Sequence, residues 1–263
     1  MPSVIQSLSR GLELLDLMAD RGGETSVTEA ARFLGVDVST GSRLMATLES
    51  RGYVDQDPET HRFRLGTKVI HLSNVLLESL TLGTIGHEEV RALVEQTGEG
   101  AQLAILGRTT AVFIDHVDGR ERLTISTNVG DQDPLHCTAI GRALLSGLAD
   151  AEVRDLLART PLERYTPRTV VSIPEVVERL RVVRRQGYAF DDEERYAGVQ
   201  CVAAPVHDHS GRVVAAIGIS GPTPRMIRAT EKVLAEAVRA AGNQLSSRLG
   251  YRGPASSGQV WIA

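Results

Sequence analysis

Cysteine and lysine are both scarce in this chain of 263 residues, and neither sign of charge dominates it. Two cysteines, Cys137 and Cys201, are too few for a disulfide framework, so the composition points to a cytoplasmic protein with two thiols. Lys68 and Lys232 are the only lysines among 29 basic residues. The rest are arginines, whose planar fork suits phosphates, bases and carboxylates, although an arginine-rich genome accounts for the same bias. Acidic residues number 33 and the formal net charge is −4, which excludes a uniformly basic nucleic-acid binder but not a local basic face. The longest uncharged runs, near Tyr196–Val206 and Val213–Pro224, fall far short of the roughly 20 apolar residues a membrane helix needs. Arg10, Glu13, Asp16 and Asp20 interrupt the first apolar segment, so it does not read as a signal peptide. The remaining balance, 42% hydrophobic and 24% charged, is that of a globular chain with room for one large domain or two smaller ones.

Apolar residues recur at helical spacing from Val4 to about Asp20 (Val4, Ile5, Leu8, Leu12, Leu14, Leu15 and Met18), and Arg21-Gly22-Gly23 stops that helix. Ser26-Val27-Thr28-Glu29 matches a capping box and opens a second helix with Ala30, Ala31 and Leu34, ending at Gly35. A third helix starts near Asp37 or Ser39 and runs to about Arg51, its apolar face formed by Leu44, Met45 and Leu48. Tyr53-Val54-Asp55 and His61–Gly66 alternate like short strands about the polar stretch Gln56–Thr60. Three helices followed by a hairpin outline a winged helix-turn-helix over residues 1–66.

Thr67 to Leu82 reads as an unusually apolar helix, which must be buried on more than one side. Its place between two segments favours a linker helix, residues 67–83, that packs against its own copy in a dimer; an internal core helix is the alternative. Residues 84–250 mix helices with strands: a helix over Ile85–Thr97, then strands at Ala101–Leu106, Ala111–Val117 and Leu123–Thr127, then helices at Ala139–Gly147 and Asp150–Leu157. Ser172-Ile173-Pro174-Glu175 reads as another capping box, opening a helix that ends at Gly187. Strands at Tyr188–Phe190, Val199–Val206 and Val213–Ser220 and a helix from Met226 to Leu249 follow, and residues 251–263 form a loose tail. Strands grouped in antiparallel fashion, with helices between the groups, indicate an α+β fold with one antiparallel sheet.

A recognition helix needs small polar residues and arginine on its outward face. Ser39, Thr40, Ser42, Arg43 and Thr47 fall away from the Leu44–Met45–Leu48 face, and the Arg43 fork is suited to a guanine or a phosphate. Against this, residues 1–66 hold seven arginines and ten acids, so binding would rest on how few positive groups are oriented. An ordinary helical hairpin with a solvated face, or a module that docks protein instead of DNA, therefore stays open.

Several segments, in order, resemble the IclR family of transcriptional regulators over nearly the full length. They are Ile5–Leu15; Ser39-Thr40-Gly41-Ser42-Arg43-Leu44 followed by Leu48–Tyr53; Phe63–Gly66; Pro134–Leu145; Gly187–Glu194 leading to Gly198–Val206; and Ile219–Pro222. Gly41 departs from the β-branched residue or alanine the family often has there, either letting the helix settle deeper on DNA or being simply tolerated. The resemblance implies a winged-helix DNA reader joined to a GAF-like domain that binds a small effector, working as a dimer or a pair of dimers. It implies an effector pocket at Ala139, Ile140, Asp191, Cys201, Gly218 and Ser220, and a ligand that is a small organic or aromatic acid. Gly218, where some relatives have serine, implies a roomier pocket with one hydrogen-bonding group fewer.

His136, Cys137, Cys201 and Asp191 offer zinc-ligand chemistry, but the adjacent His136-Cys137 pair lacks ligand spacing and a buried cysteine is usually a small hydrophobe. Asp191-Asp192-Glu193-Glu194 looks like paired catalytic carboxylates, yet adjacent acids after a strand more often cap a helix or sit in solvent. No Gly-x-Ser-x-Gly elbow or phosphate-cradling loop with lysine occurs, and no cofactor is called for. The expectation is a regulator, not an enzyme, that binds an operator duplex and an effector; the rival is an enzyme using Asp191 and Cys201.

Overall fold

The computed structural model describes residues 5–20, 23–72, 82–121, 125, 127–228 and 231–253. The chain divides into two compact units, Met1–Leu80 and Thr81–Ala263.

In the first unit three helices, α1 (Gln6–Asp20), α2 (Val27–Leu34) and α3 (Val38–Ser50), pack beside a small sheet. The sheet comprises β1 (Glu24–Thr25), β2 (Val54–Gln56) and β3 (Phe63–Leu65) in the antiparallel order β1-β3-β2. The short strand β1, which periodicity alone does not reveal, lies along the hairpin's outer edge. The capping box forms: the Glu29 backbone N–H donates to Ser26 Oγ at 3.3 Å and the Ser26 N–H to Glu29 Oε2 at 2.8 Å. Gly35 then stops α2 in the left-handed conformation, φ 64°, which frees the chain to turn into α3. The core is Leu14, Leu17, Met18, Ala30, Met45, Val54 and Phe63, with Leu44 and Leu48 half-buried. The apolar row at the start of α1 behaves differently from the expected buried face: Ile5, Leu8 and Leu12 are 67%, 60% and 54% exposed. Gly41 is buried, and a Cβ there would lie 3.0 Å from the Ala31 Cβ. Its bareness therefore serves the close approach of α2 and α3, and the reading that it lets the helix sit deeper on a duplex is corrected. Residues 67–72 begin the expected linker as helix α4, and residues 73–81 of that expectation lie outside the described residues.

The second unit is built on one six-stranded antiparallel sheet, order β6-β5-β4-β9-β8-β7. Its strands are β4 (Gly100–Leu106), β5 (Thr110–Val117), β6 (Gln132–Pro134), β7 (Ala189–Asp192), β8 (Val199–His207) and β9 (Val213–Pro222). Helices α5 (Leu82–Thr97) and α10 (Glu231–Arg248) pack on one face; α6 (Ala139–Leu145) packs on the other, with α8 (Ile173–Gln186) and α7 (Asp150–Ala158) behind it. The helix α9 (Thr223–Arg228) precedes α10, and residues 229–230 of the expected continuous helix lie outside the described residues. The expected strand Leu123–Thr127 falls mostly outside them, and the edge is held instead by β6. Ser172 starts α8 without a side-chain cap: its ψ is 116° against 161° at Ser26, so that capping-box expectation is corrected.

Sheet alternation decides what α6 meets. Ala104, Ala189, Ala203 and Ala216 share the face toward α6 and admit the helix closely. Near their ends the strands carry polar residues on that same face, with Asp191 opposite Cys201 and Cys201 opposite Ser220 in register. A row of small polar groups thus borders a row of alanines, and space opens where α6 begins.

Candidate functional site

That space is a cavity of about 490 Å³ between the start of α6, the ends of β7, β8 and β9, and the β5–β6 edge. Five of the six residues assigned from the sequence, Ala139, Ile140, Asp191, Cys201 and Ser220, line it together. Gly218 is buried but does not line it: a Cβ there would lie 2.7 Å from the Val202 carbonyl oxygen and 2.9 Å from the Ala203 Cβ. Gly218 therefore serves strand packing, and the expected enlargement of the pocket by a missing side chain does not follow.

Thr138 starts α6. Its hydroxyl donates to the Pro134 carbonyl at 2.7 Å and accepts the Gly141 N–H at 3.0 Å. Gly141 is required here, because a Cβ would press into the Leu135 backbone at 2.5 Å. The cap leaves the Ala139 and Ile140 N–H groups at the cavity wall without intrahelical partners.

Asp191 is 1% exposed, and burial pushes its carboxyl up to about 7 despite the opposing charge of Arg142. Its Oδ1 accepts the Glu194 backbone N–H at 2.8 Å. Burial, and secondarily the Asp191 charge, raises the Cys201 thiol well above its ordinary value; burial pushes the Cys137 thiol up to about 12. Both shifts disfavour the thiolate that the enzyme reading needs at Cys201. Gln102 Nε2 donates to Ser220 Oγ at 2.6 Å and braces the floor. Among the described residues no group of three histidine, cysteine or acidic side chains could hold a metal ion. His136 instead meets the Glu163 carbonyl through Nε2 at 3.0 Å and stacks on Tyr165.

The acidic run is partly internal, contrary to the expectation of solvent or a helix cap. Glu194 is 2% exposed, receives both Arg142 (1% exposed) and Arg179 at 2.8 Å, and reaches Asp191 through its backbone. Arg142 and Glu194, along with the lining residues Gln102, Asp133, Arg195 and Tyr196, were not among the residues expected to form the site. No local signal marks them, because their partners are remote in sequence; only the density of acids after β7 hinted at Glu194.

In the first unit, Asp37 caps α3, accepting the Thr40 N–H at 2.8 Å and the Ser39 and Thr40 hydroxyls at 2.5 and 2.8 Å. The five recognition candidates form two adjacent rows on α3: Ser39 and Ser42, and Thr40, Arg43 and Thr47. All are exposed except Thr40, which is half-buried, and the second row borders a groove shared with Leu8 and Leu12 of α1. The Thr47 hydroxyl is turned back onto the Arg43 carbonyl at 2.7 Å. The Arg43 guanidinium meets no acceptor among the described residues.

Family comparisons agree with this division. The family model described as the IclR helix-turn-helix domain matches residues 7–58, and that described as bacterial transcriptional regulator IclR C-terminal matches residues 75–247. The HTH-type transcriptional regulator XynR of Escherichia coli (strain K12) is 35% identical over 248 residues, covering 94% of this chain and 98% of that protein. The acetate operon repressor of Salmonella typhimurium is 36% identical over 224 residues, 84% of this chain and 82% of that protein. Among solved structures, the IclR protein of Thermotoga maritima aligns with a TM-score of 0.76 at 27% identity, covering 94% of this chain and all (100%) of that one. An IclR transcriptional regulator from Alicyclobacillus acidocaldarius aligns with a TM-score of 0.80 at 25% identity, covering 94% and 100%.

Proposed function

The chain belongs to the IclR family of bacterial transcriptional regulators, and on that premise we propose that its cavity takes a small organic or aromatic acid whose binding resets operator affinity. It is a DNA-binding regulator with an effector-binding C-terminal domain, and its relatives are regulators and repressors, not enzymes. The observation that carries the effector reading is the convergence of Ala139, Ile140, Asp191, Cys201 and Ser220 on one cavity large enough for an acid of that size.

On this reading α3 enters the major groove. Arg43, exposed and unpaired among the described residues, contacts a base or phosphate, while Ser39, Thr40, Ser42 and Thr47 position the helix on the backbone. To donate to a phosphate oxygen, the Ser39 and Thr40 hydroxyls must first leave Asp37. The protein works in the cytoplasm as a homodimer or a dimer of dimers, and self-association is favoured by the uncovered Ile5 and, on α1, Leu8 and Leu12. The effector alters how the C-terminal domains hold the linker, and thereby the spacing of two recognition helices. No helix among the described residues is long and apolar enough to cross a membrane.

The test is a fluorescence titration of the operator duplex with the full-length protein, with and without small acids, over a range of salt. Arg43→Ala is expected to weaken operator binding by about 1–3 kcal/mol. Affinity that falls steeply with salt supports duplex binding over protein docking. Unchanged affinity in Arg43→Ala removes that residue from the interface, and indifference to every acid removes the effector class.

A further inference from the structure

Two polar groups in the cavity wall carry hydrogen-bonding capacity that the described residues leave unused. The first is Arg195, the only cation lining the cavity among the described residues. Its Nε donates to Asp133 Oδ1 at 3.3 Å, and its terminal N–H groups meet no acceptor among those residues. The guanidinium carbon lies 3.9 Å from the centroid of the Tyr165 ring and 4.8 Å from that of Tyr196, so the two rings and Asp133 hold the fork without filling it. The side chain is 21% exposed, so it is neither sealed in the core nor free in solvent. Arg142 shows the alternative: its donors are taken by both Glu194 oxygens and the Phe190 carbonyl. The second group is Asp191. Its Oδ1 is engaged by the Glu194 N–H, but its Oδ2 has no protein donor among the described residues although the side chain is almost wholly buried.

A planar guanidinium with both terminal nitrogens open is suited to bidentate pairing with a carboxylate. A carboxyl oxygen in a cavity wall, with no protein donor among the described residues, is suited to a hydroxyl, from which it accepts when ionised and to which it donates when protonated. A ligand with only one of these functions leaves the other group in the cavity wall without its match, and sites built to pair a polar group discriminate against analogues that lack it.

We propose that Arg195 is the specificity-determining residue of the cavity, pairing with the carboxylate of a hydroxylated organic acid whose hydroxyl meets Asp191. The assignment rests on the reading of this cavity as the effector site and narrows the acid to one with two functions. Residues of the Asp191–Glu194 segment position both groups, since Arg195 follows Glu194 directly and Glu194 is locked by Arg142 and Arg179.

The experiment is calorimetric titration of the full-length protein with lactate, gluconate and 3-hydroxybenzoate, each beside its amide and its deoxy analogue. At least one hydroxy acid is expected to bind, at least about tenfold tighter than its amide. Arg195→Gln is expected to abolish that preference while leaving amide affinity within about twofold, and Arg195→Lys to keep part of it. Asp191→Asn is expected to narrow the gap between the hydroxy acid and its deoxy analogue. Unliganded melting temperatures of the variants check the fold, and the charge-retaining Arg195→Lys keeps the test valid if Arg195→Gln folds poorly. Failure of all three hydroxy acids to bind, or binding by Arg195→Gln equal to wild type, overturns the proposal. Ile140→Trp, which fills the cavity, separates the two levels: if it binds the acid normally the cavity reading itself fails. If it loses binding while Arg195→Gln does not, only the role of Arg195 fails.

Discussion

The two units of this protein treat charge in opposite ways. Among the described residues, the first unit buries a single polar side chain, Thr25, whereas the second buries Glu89, Glu99, Arg142, Asp191 and Glu194. In the first, arginines such as Arg62 pair at the surface with Glu24 and Glu29, and Arg43 has no partner among the described residues. In the second, Arg142 and Glu194 form an ion pair with side-chain exposures of only 1% and 2%. The difference follows from what each unit must meet. A surface that reads a polyanion keeps its donors in water until phosphates replace the water. A cavity that selects a small ligand needs its polar groups fixed beforehand, and fixing a buried charge requires a buried partner.

The sharpest way to break this contrast is to remove the partner. Glu194→Ala leaves Arg142 charged, buried and facing only the Phe190 carbonyl, and is expected to cost about 3–5 kcal/mol in the unfolding of the second unit. Urea titration followed by a probe in each unit checks it; a loss below about 1 kcal/mol would mean the pair is solvated and the contrast overstated.

Asp191 tests the same idea through pH. Its carboxyl titrates at about 7 in the folded protein against an ordinary 3.8, so the folded state binds the proton more tightly than the unfolded chain. Its contribution to stability is complete below pH 3.8 and is lost as pH rises toward 7. Asp191→Asn, which stays neutral, should therefore gain on wild type by up to about 4 kcal/mol across that window and by nothing further above it. Melting curves of both proteins from pH 4 to 8 measure this, and a constant difference would show that Asp191 is not held in a desolvated site.

The smallest effect belongs to the first unit, where stability comes from caps and apolar packing. Ser26→Ala removes one half of the capping box and is expected to cost about 1 kcal/mol, with no change in the second unit's transition or in acid binding. A measurable loss of effector affinity in that variant would contradict the independence of the two units' local chemistry.

Much of the fold was legible because its signals are local. The Ser26–Glu29 box, the Gly35 stop, the apolar face of α3 and the strands β4, β5, β8 and β9 each follow from residues a few positions apart. All six expected cavity residues came from the resemblance, not from spacing, and five of them line the cavity although Ala139, Asp191, Cys201 and Ser220 lie on separate elements. Two of the corrections share one cause. One of the two readings of Gly41 set it against a duplex, and Gly218 was set against a ligand, when each answers to a neighbouring element, Ala31 in one case and Val202 and Ala203 in the other.

By itself the sequence determined most of the helices, the long strands and the apolar face of α3, because those properties depend on neighbours within a turn or a strand pair. Only the tertiary structure decided which charges are buried, that Glu194 and not Asp192 is locked inside, and that Arg195 reaches a cavity with its fork unfilled. Burial and pairing are set by contacts between residues tens of positions apart, such as Arg142 and Glu194 or Asp133 and Arg195, and no local pattern encodes that proximity.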